Sequence, residues 1–367
     1  CNSISISSEP IYPAMKTFSS FLIAWLFAAR SLFGEGTLSD TVSSPVVGFQ
    51  EFDCLGGSDT VIAIPFERAA TFRGLIHEVS APSNSDRTRT LTLAGGAPGW
   101  SDDELAGSHF LRINSGNAAG RQFPVKAHSG AEVEIEVPAD HPPLQVEGGD
   151  TIDLVPFWTP ASLFPADTQS TLHASSGLLP SQRGSELFFY PSGPTLENIS
   201  PERVFFVTDS GWFESTEGVP AADAVAIPPH AVLVIRHPDG ADDTVFRPAS
   251  LVTAAPSAVV LESKRGVRPS TIEQLDFLPR EFAPSPGLAP SQRRDLLLIF
   301  DNSEAEQNRQ PDHRYFFHRG DWYRVGGEGE GPTVANDDSL SPGAALVIRK
   351  AATLNHQATV WTQDPNL

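Results

Sequence analysis

The sequence predicts an all-β protein, an N-terminal domain of β-barrel or sandwich type followed by two homologous β modules. Three observations predict it. Proline supplies 32 and glycine 29 of the 367 residues, so residues that interrupt helices punctuate the chain every few positions. Short β-rich runs recur between these breaks: Thr60–Ile64, Thr88–Leu93, Glu132–Val137, Ile152–Val155, Leu187–Tyr190, Val204–Thr208, Val232–Ile235, Ala258–Leu261, Leu296–Phe300, Tyr315–His318 and Ala345–Ile348. Finally, Gly177-Leu-Leu-Pro-Ser-Gln-Arg183 returns 110 residues later as Gly287-Leu-Ala-Pro-Ser-Gln-Arg293. Over 177–214 and 287–324, 11 of 38 positions are identical, where chance gives about two or three. The C-terminal half is one unit used twice.

The chain's start has the layout of a secretory signal peptide. Met15, the one methionine, is followed by Lys16, an apolar run from Phe18 to Ala29, and small residues at Gly34 and Gly36. Residues 15–36 are read as that peptide, 1–14 as translated sequence upstream of the start, and the mature chain is expected to begin near Thr37. The apolar run is short for a bilayer span and Arg30 interrupts it, so no transmembrane segment is expected in the mature chain. The expected location is extracytoplasmic, secreted or periplasmic. Only Cys54 then remains, which excludes an intramolecular disulfide. It lies in the hydrophobic stretch Phe49–Leu55, the setting of a buried, inert thiol. The formal charge is −20, a surface that disfavours nucleic acid and anionic membranes as partners.

Residues 45–165 are read as the N-terminal β domain. Its clearest strand is Glu132–Val137, with Val133, Ile135 and Val137 on one face and three glutamates on the other. The turn signal His128-Ser-Gly130 precedes it and predicts a hairpin with an acidic face in water. Residues 170–255 form the first repeat, and 256–367 the second with its lead-in. Each copy reads as an apolar strand (Leu187–Tyr190; Leu297–Phe300), an aromatic strand (Phe205-Phe206; Tyr315-Phe316-Phe317) and a glycine-containing turn. A Trp-aromatic pair follows (Trp212-Phe213; Trp322-Tyr323), then a variable acidic loop and a last apolar strand ending in Arg236 or Arg349. The last strand is offset by 113 residues rather than 110, so the loop before it has grown, as surface loops do. Thr244–Phe246 and Thr359–Trp361 complete the two copies.

Two sets of residues are candidates for binding. One is the aromatic pairs Trp212, Phe213, Trp322 and Tyr323, since exposed Trp and Tyr anchor sugars or protein partners. The tryptophans, however, fit a core role better than a binding role, because large aromatics are mostly buried. The other is the acidic loops at 214–228 and 324–341, with Glu328 and Glu330 as the named contacts. Arg236 and Arg349 are expected to form structural ion pairs. Arg319-Gly-Asp321 reads as a turn, and Asp239-Gly-Ala-Asp-Asp243 lacks the spacing of a calcium loop. Asn198-Ile-Ser200 fits the glycosylation triplet. His313 and His318 are predicted on opposite sides of their strand. No nucleophile elbow, zinc-protease motif, phosphate loop or dinucleotide fingerprint occurs, so no catalytic residue, metal ligand or cofactor is assigned.

Three further pieces occur in a fixed order: Pro45-Val-Val-Gly-Phe49 with Gly57-Ser-Asp-Thr60 and Ile64-Pro-Phe66; Val155-Pro-Phe-Trp158 with Leu163-Phe-Pro165; and the aromatic repeats ending in Val-Ile-Arg. In these the chain resembles a family of uncharacterised, exported, β-rich bacterial proteins with two C-terminal aromatic repeats. The resemblance implies architecture and compartment. The family has no established activity, so no residue's role is carried over. The function expected is non-catalytic binding of a glycan or an envelope protein. The alternatives are a secreted carbohydrate-active enzyme, whose carboxylate pair would leave no local motif, and a purely structural envelope protein.

Overall fold

A computed structural model describes residues 47–64, 66–80, 87–96, 99–137, 143–190, 200–229, 231–251, 270–275, 277, 282–327, 329–340 and 345–351. Residues 1–14, the 15–36 segment, Asn198, Ala258–Leu261, Glu328 and Thr359–Trp361 lie outside them. The fold is nearly all β, as the sequence predicts. The longest regular helix among the described residues is the four-residue Pro160–Leu163, capped by Thr159. None there is long and apolar enough to cross a membrane.

Three short strands open the described chain: β1 (Val47–Phe49), β2 (Phe52–Cys54) and β3 (Asp59–Ala63). The next six close a barrel: β4 (Phe72–Val79), β5 (Thr88–Leu93), β6 (His109–Ile113), β7 (Gln122–Ser129), β8 (Glu132–Glu136) and β9 (Thr151–Pro156), in the order β4-β5-β8-β7-β6-β9. Closure leaves no free strand edge. Leu91, Leu111, Phe123, Val133, Ile135, Ile152 and Leu154 fill the interior, each burial worth about 1.5–3 kcal/mol. The hairpin expected across His128-Ser-Gly130 is β7 paired with β8. Val133 and Ile135 are fully buried while Glu132 and Glu136 face water. Bulges between Ile76 and Glu78 and between Val125 and Ala127 supply the local bend that a small barrel needs.

The first module contains β10 (Glu186–Phe189), β11 (Arg203–Thr208), β12 (Gly211–Glu214), β13 (Val232–Arg236), β14 (Thr244–Phe246) and β15 (Ala249–Leu251). The second contains β16 (Ser270–Thr271), β17 (Leu296–Phe300), β18 (His313–His318), β19 (Asp321–Arg324), β20 (Thr333–Val334), β21 (Ser339–Leu340) and β22 (Ala345–Arg349). Their central sheets have the same order, β12-β11-β10-β13 and β19-β18-β17-β22. Register agrees as well. Leu187 lies opposite Phe205 and Ile235, as Leu297 lies opposite Tyr315 and Ile348. Val207 faces Trp212, as Phe317 faces Trp322. The N–H groups of Ala222 and Ala335 donate to the carbonyls of Trp212 and Trp322, both at 2.8 Å. The added residues of the second copy therefore lie between Trp322 and Ala335.

The strand pairing differs from the sequence division at the front of the chain. Residues 47–63, grouped above with the barrel, pair with the first module: β1 with β15, β2 with β14 and β3 with β13. The apolar run of β3 marks a buried strand but carries no information on which strand lies beside it. Asp59 closes that pairing by a two-pronged bond to Arg236, 2.6 Å at each prong, the ion pair expected for this arginine. The outer edge of β3 is then covered by the 301–309 loop of the second module. The Asn302 amide accepts from the Val61 N–H at 3.0 Å and donates to the Val61 carbonyl at 2.9 Å, as a neighbouring strand would. The Asp59 N–H donates to the Glu306 carbonyl at 2.9 Å. An exposed edge is thereby satisfied, and the modules are tied together.

Candidate functional site

The repeated Pro-Ser-Gln-Arg builds one local structure twice. Pro180–Gln182 and Pro290–Gln292 are single turns of tight helix with proline at the first position, where its missing N–H costs nothing. The glutamine folds back over the glycine that starts the motif. A Cβ on Gly177 would lie 2.3 Å from Gln182 Oε1, and one on Gly287 2.1 Å from Gln292 Oε1, so any larger residue there would push the glutamine amide aside. The arginine is thereby delivered onto a ring. Arg183 lies 4.7 Å over Phe206 and Arg293 5.0 Å over Phe316. Each ring stacks in turn on the second aromatic of the pair, Phe213 at 6.0 Å and Tyr323 at 5.6 Å. Both modules thus carry an Arg–Phe–aromatic stack on the outer sheet face. Phe213 and Tyr323 are half-buried there, and Leu178 and Leu288, beside the motif's glycines, are 42% and 38% exposed.

The other halves of the aromatic pairs face inward, because consecutive strand residues point to opposite faces. Trp212 and Trp322 lie in the two module cores. Trp212 donates its indole N–H to the Phe164 carbonyl at 3.0 Å. Their backbone N–H groups are held by Asp223 Oδ1 at 3.2 Å and Asn336 Oδ1 at 2.7 Å. Of the six binding candidates, Phe213 and Tyr323 thus sit on outer faces and the tryptophans in cores. Glu330 is exposed at its turn, its carboxylate accepting from the Gly327 N–H at 3.3 Å, and Glu328 lies outside the described residues.

Around this common frame the charges change. Arg183 Nη1 donates to Glu186 Oε1 at 3.0 Å and to Ser215 Oγ at 2.6 Å. The positions that correspond to Glu186 and Ser215 hold Leu296 and Val325. Arg293 instead donates from Nε to the Leu288 carbonyl at 3.3 Å. Burial holds its guanidinium below the ordinary arginine value.

A second exchange lies beneath the sheets, and sequence reasoning missed it. Ser185 Oγ is 2.7 Å from His237 Nδ1, and both residues are buried. The corresponding residues of the second module are Asp295 and Lys350, which form an ion pair at 2.8 Å. Backbone donors match too: the His173 N–H reaches Ser185 Oγ at 2.9 Å and the Ala283 N–H reaches Asp295 Oδ2 at 2.8 Å. Only alignment of the copies could have revealed this. A serine against a histidine suggests a nucleophile and its base, but Ser185 is 1% and His237 0% exposed, so the pair is sealed from any substrate. Ser185 accepts from the backbone and donates to Nδ1, so Nε2–H donates to Thr244 Oγ1 at 2.8 Å, which donates to the Thr171 carbonyl at 2.7 Å. Every proton has a fixed acceptor. Burial, with His173 alongside, pushes the His237 imidazole down to about 4, so it is neutral.

The remaining polar clusters are structural. Glu67 and Asp153 both bond one guanidinium, that of Arg112, and Gln122 also donates to Glu67. Burial raises Glu67 despite the arginine. Both carboxylates of this cluster are held by the cation between them. Arg319 and Gly320 have φ of 53° and 98° and form the tight hairpin turn before Trp322. Asp243 Oδ1 accepts from the Gly56 N–H at 2.7 Å and Asp239 Oδ1 from Gln307 at 3.0 Å, so that turn braces neighbouring segments. Cys54 is fully buried, which pushes its thiol up to about 11. His313 is exposed and His318 buried, its Nδ1–H donating to the Ser285 carbonyl at 2.7 Å. Among the described residues, no group of three or more His, Cys, Asp or Glu side chains is placed to hold a metal ion. Comparisons of the chain with protein-family models, with curated proteins and with solved structures return no match.

Proposed function

We propose that this is an exported, non-catalytic β protein of the bacterial envelope or extracellular space that binds a glycan or surface partner through the outer faces of its two modules. The observation that carries this reading is the stack Arg183–Phe206–Phe213 and its counterpart Arg293–Phe316–Tyr323. Folding is served by the buried tryptophans and by Phe206 and Phe316, which are fully buried beneath their arginines. The outer rings Phe213 and Tyr323 are kept in register as well, half-exposed, while the charges at their borders differ. A repeat that varies its rim around a fixed aromatic platform has the character of a recognition surface. Ser215, which accepts from Arg183, and Val325 in the corresponding place begin the two loops that supply the variable contacts.

The test is a glycan and envelope-extract array probed with the full chain, beside a variant carrying Phe213→Ser and Tyr323→Ser. Binding by the full chain, at least tenfold weaker in a variant that melts within a few degrees of it, supports the reading. Binding indifferent to both substitutions would count against it, as would release of new reducing ends from any bound glycan.

A further inference from the structure

The two arginines of the repeated motif have the same seat and different company. Arg183 is neutralised inside its own module by Glu186 and donates as well to Ser215. Arg293 has the same ring beneath it, but the corresponding neighbours are Leu296, 7% exposed, and the half-buried Val325. Among the described residues no carboxylate pairs with Arg293, and its Nε bond to the Leu288 carbonyl leaves both Nη groups without a protein acceptor. Neither is sealed from solvent, since neither is among the buried unpartnered atoms. In a chain with 45 acidic and 25 basic side chains, a partly desolvated arginine without a counter-charge is an unfinished ion pair.

We propose that Arg293 receives the carboxylate of an external ligand, in the place that Glu186 fills for Arg183, and that this ligand is a glycan bearing uronic acid. The inference rests on the binding reading above. A guanidinium seated 5.0 Å over Phe316 and tethered through Nε to the Leu288 carbonyl has its two Nη groups left to bind a carboxylate. The chemistry beside it favours a sugar over an acidic peptide. Tyr323 stacks on the same ring, 5.6 Å from its centre, and offers an aromatic face and a hydroxyl. Leu288 is 38% exposed at the motif and offers an apolar contact. A pyranose ring carrying a carboxylate has complementary C–H faces, hydroxyls and charge. The net charge of −20 does not prevent this at physiological salt, where fields are screened over about 8 Å and contact pairs dominate.

The experiment is titration calorimetry of the full chain with oligomers of galacturonic, glucuronic and mannuronic acid, their methyl esters, neutral glycans and an oligo-aspartate peptide. At least one uronate oligomer should bind, with its methyl ester about ten- to a hundredfold weaker, the range of a charge-assisted hydrogen bond. Arg293→Gln should weaken binding to the same degree, and Arg183→Gln by a clearly smaller factor, since Glu186 already meets its charge. Leu296→Glu, which gives the second module the internal carboxylate of the first at some cost in stability, should close the site in protein that still unfolds cooperatively. Ester and acid binding alike, or loss through Arg183→Gln instead, overturns the assignment to Arg293. Binding of the peptide in preference to every uronate overturns the glycan. Neutral glycans that bind through Tyr323 while acids gain nothing sink this inference and leave the binding reading standing. No binding by any probe here or on the array sinks both.

Discussion

Beneath the last strand of the first module a serine meets a histidine, and at the same place in the second an aspartate meets a lysine. Above the sheets the first module's arginine has a glutamate, and the second's has a leucine in its place. The strands, their register and the buried tryptophans do not change. What the fold requires at these positions is therefore limited. Below the sheet it needs a bridge that accepts one backbone N–H and joins two strands, whether neutral or charged. On the outer face it needs an aromatic stack, whatever its rim carries. The module divides into a frame that tolerates little and a periphery free to differ, and the proposed function lies in the periphery.

The largest expected effect breaks the frame. Trp212→Ala and Trp322→Ala should each cost about 3–5 kcal/mol by denaturant unfolding. Trp212, which also loses its bond to Phe164, should lie at the upper end. A large loss in one module and none in the other would show that the buried positions are not equivalent.

The next contrast lies in the polar bridges. Lys350→Met removes the cation from Asp295, which stays buried with only backbone donors, and should cost about 3 kcal/mol. His237→Leu strands two hydroxyls but no charge, and should cost about 1–3 kcal/mol. The reverse ranking in matched unfolding curves would mean that the second bridge is not the ion pair described.

A smaller effect comes with pH. The unfolded chain protonates His237 near its ordinary 6.5, while the folded chain holds it neutral down to about 4. The neutral ring's stabilisation is complete above about 6.5 and is lost as pH falls toward 4, because the unfolded state takes up the proton first. His173 lowers this imidazole further and Asp243 opposes the shift. Urea midpoints at pH 7 and pH 5 should differ less for His237→Leu than for the unaltered chain. An equal difference would place the acid-sensitive group elsewhere.

Much of the frame was legible in the sequence. The repeat, its strands, the shift from 110 to 113 and the core role of the tryptophans all follow from apolar residues in register, since packing demands similar volumes at similar places. The barrel was legible as a β domain of barrel or sandwich type, but closure depends on β4 meeting β9, a pairing that alternation does not encode. For the same reason β3 was grouped with the barrel, although its partner β13 lies far along the chain. The outer stack was hidden because Arg183 precedes Phe206 by a whole strand and loop, and neither residue alone suggests a partner. The bridges were hidden because Ser185 and Asp295, or His237 and Lys350, share no chemistry until the copies are laid over one another.

The central claim is that the core aromatic holds the module and the outer face holds the ligand. It is tested most directly by measuring stability and binding together in Trp322→Phe, Tyr323→Ser and Glu330→Gln, with whichever array ligand the full chain selects. Trp322→Phe should unfold at lower denaturant yet bind normally when folded. Tyr323→Ser should unfold within about 1 kcal/mol of the unaltered chain and bind at least tenfold more weakly. Glu330→Gln should keep its stability within about 0.5 kcal/mol, as exposed substitutions do, and shift binding. If folded Trp322→Phe loses the ligand while Tyr323→Ser and Glu330→Gln keep it, the division into frame and face is contradicted.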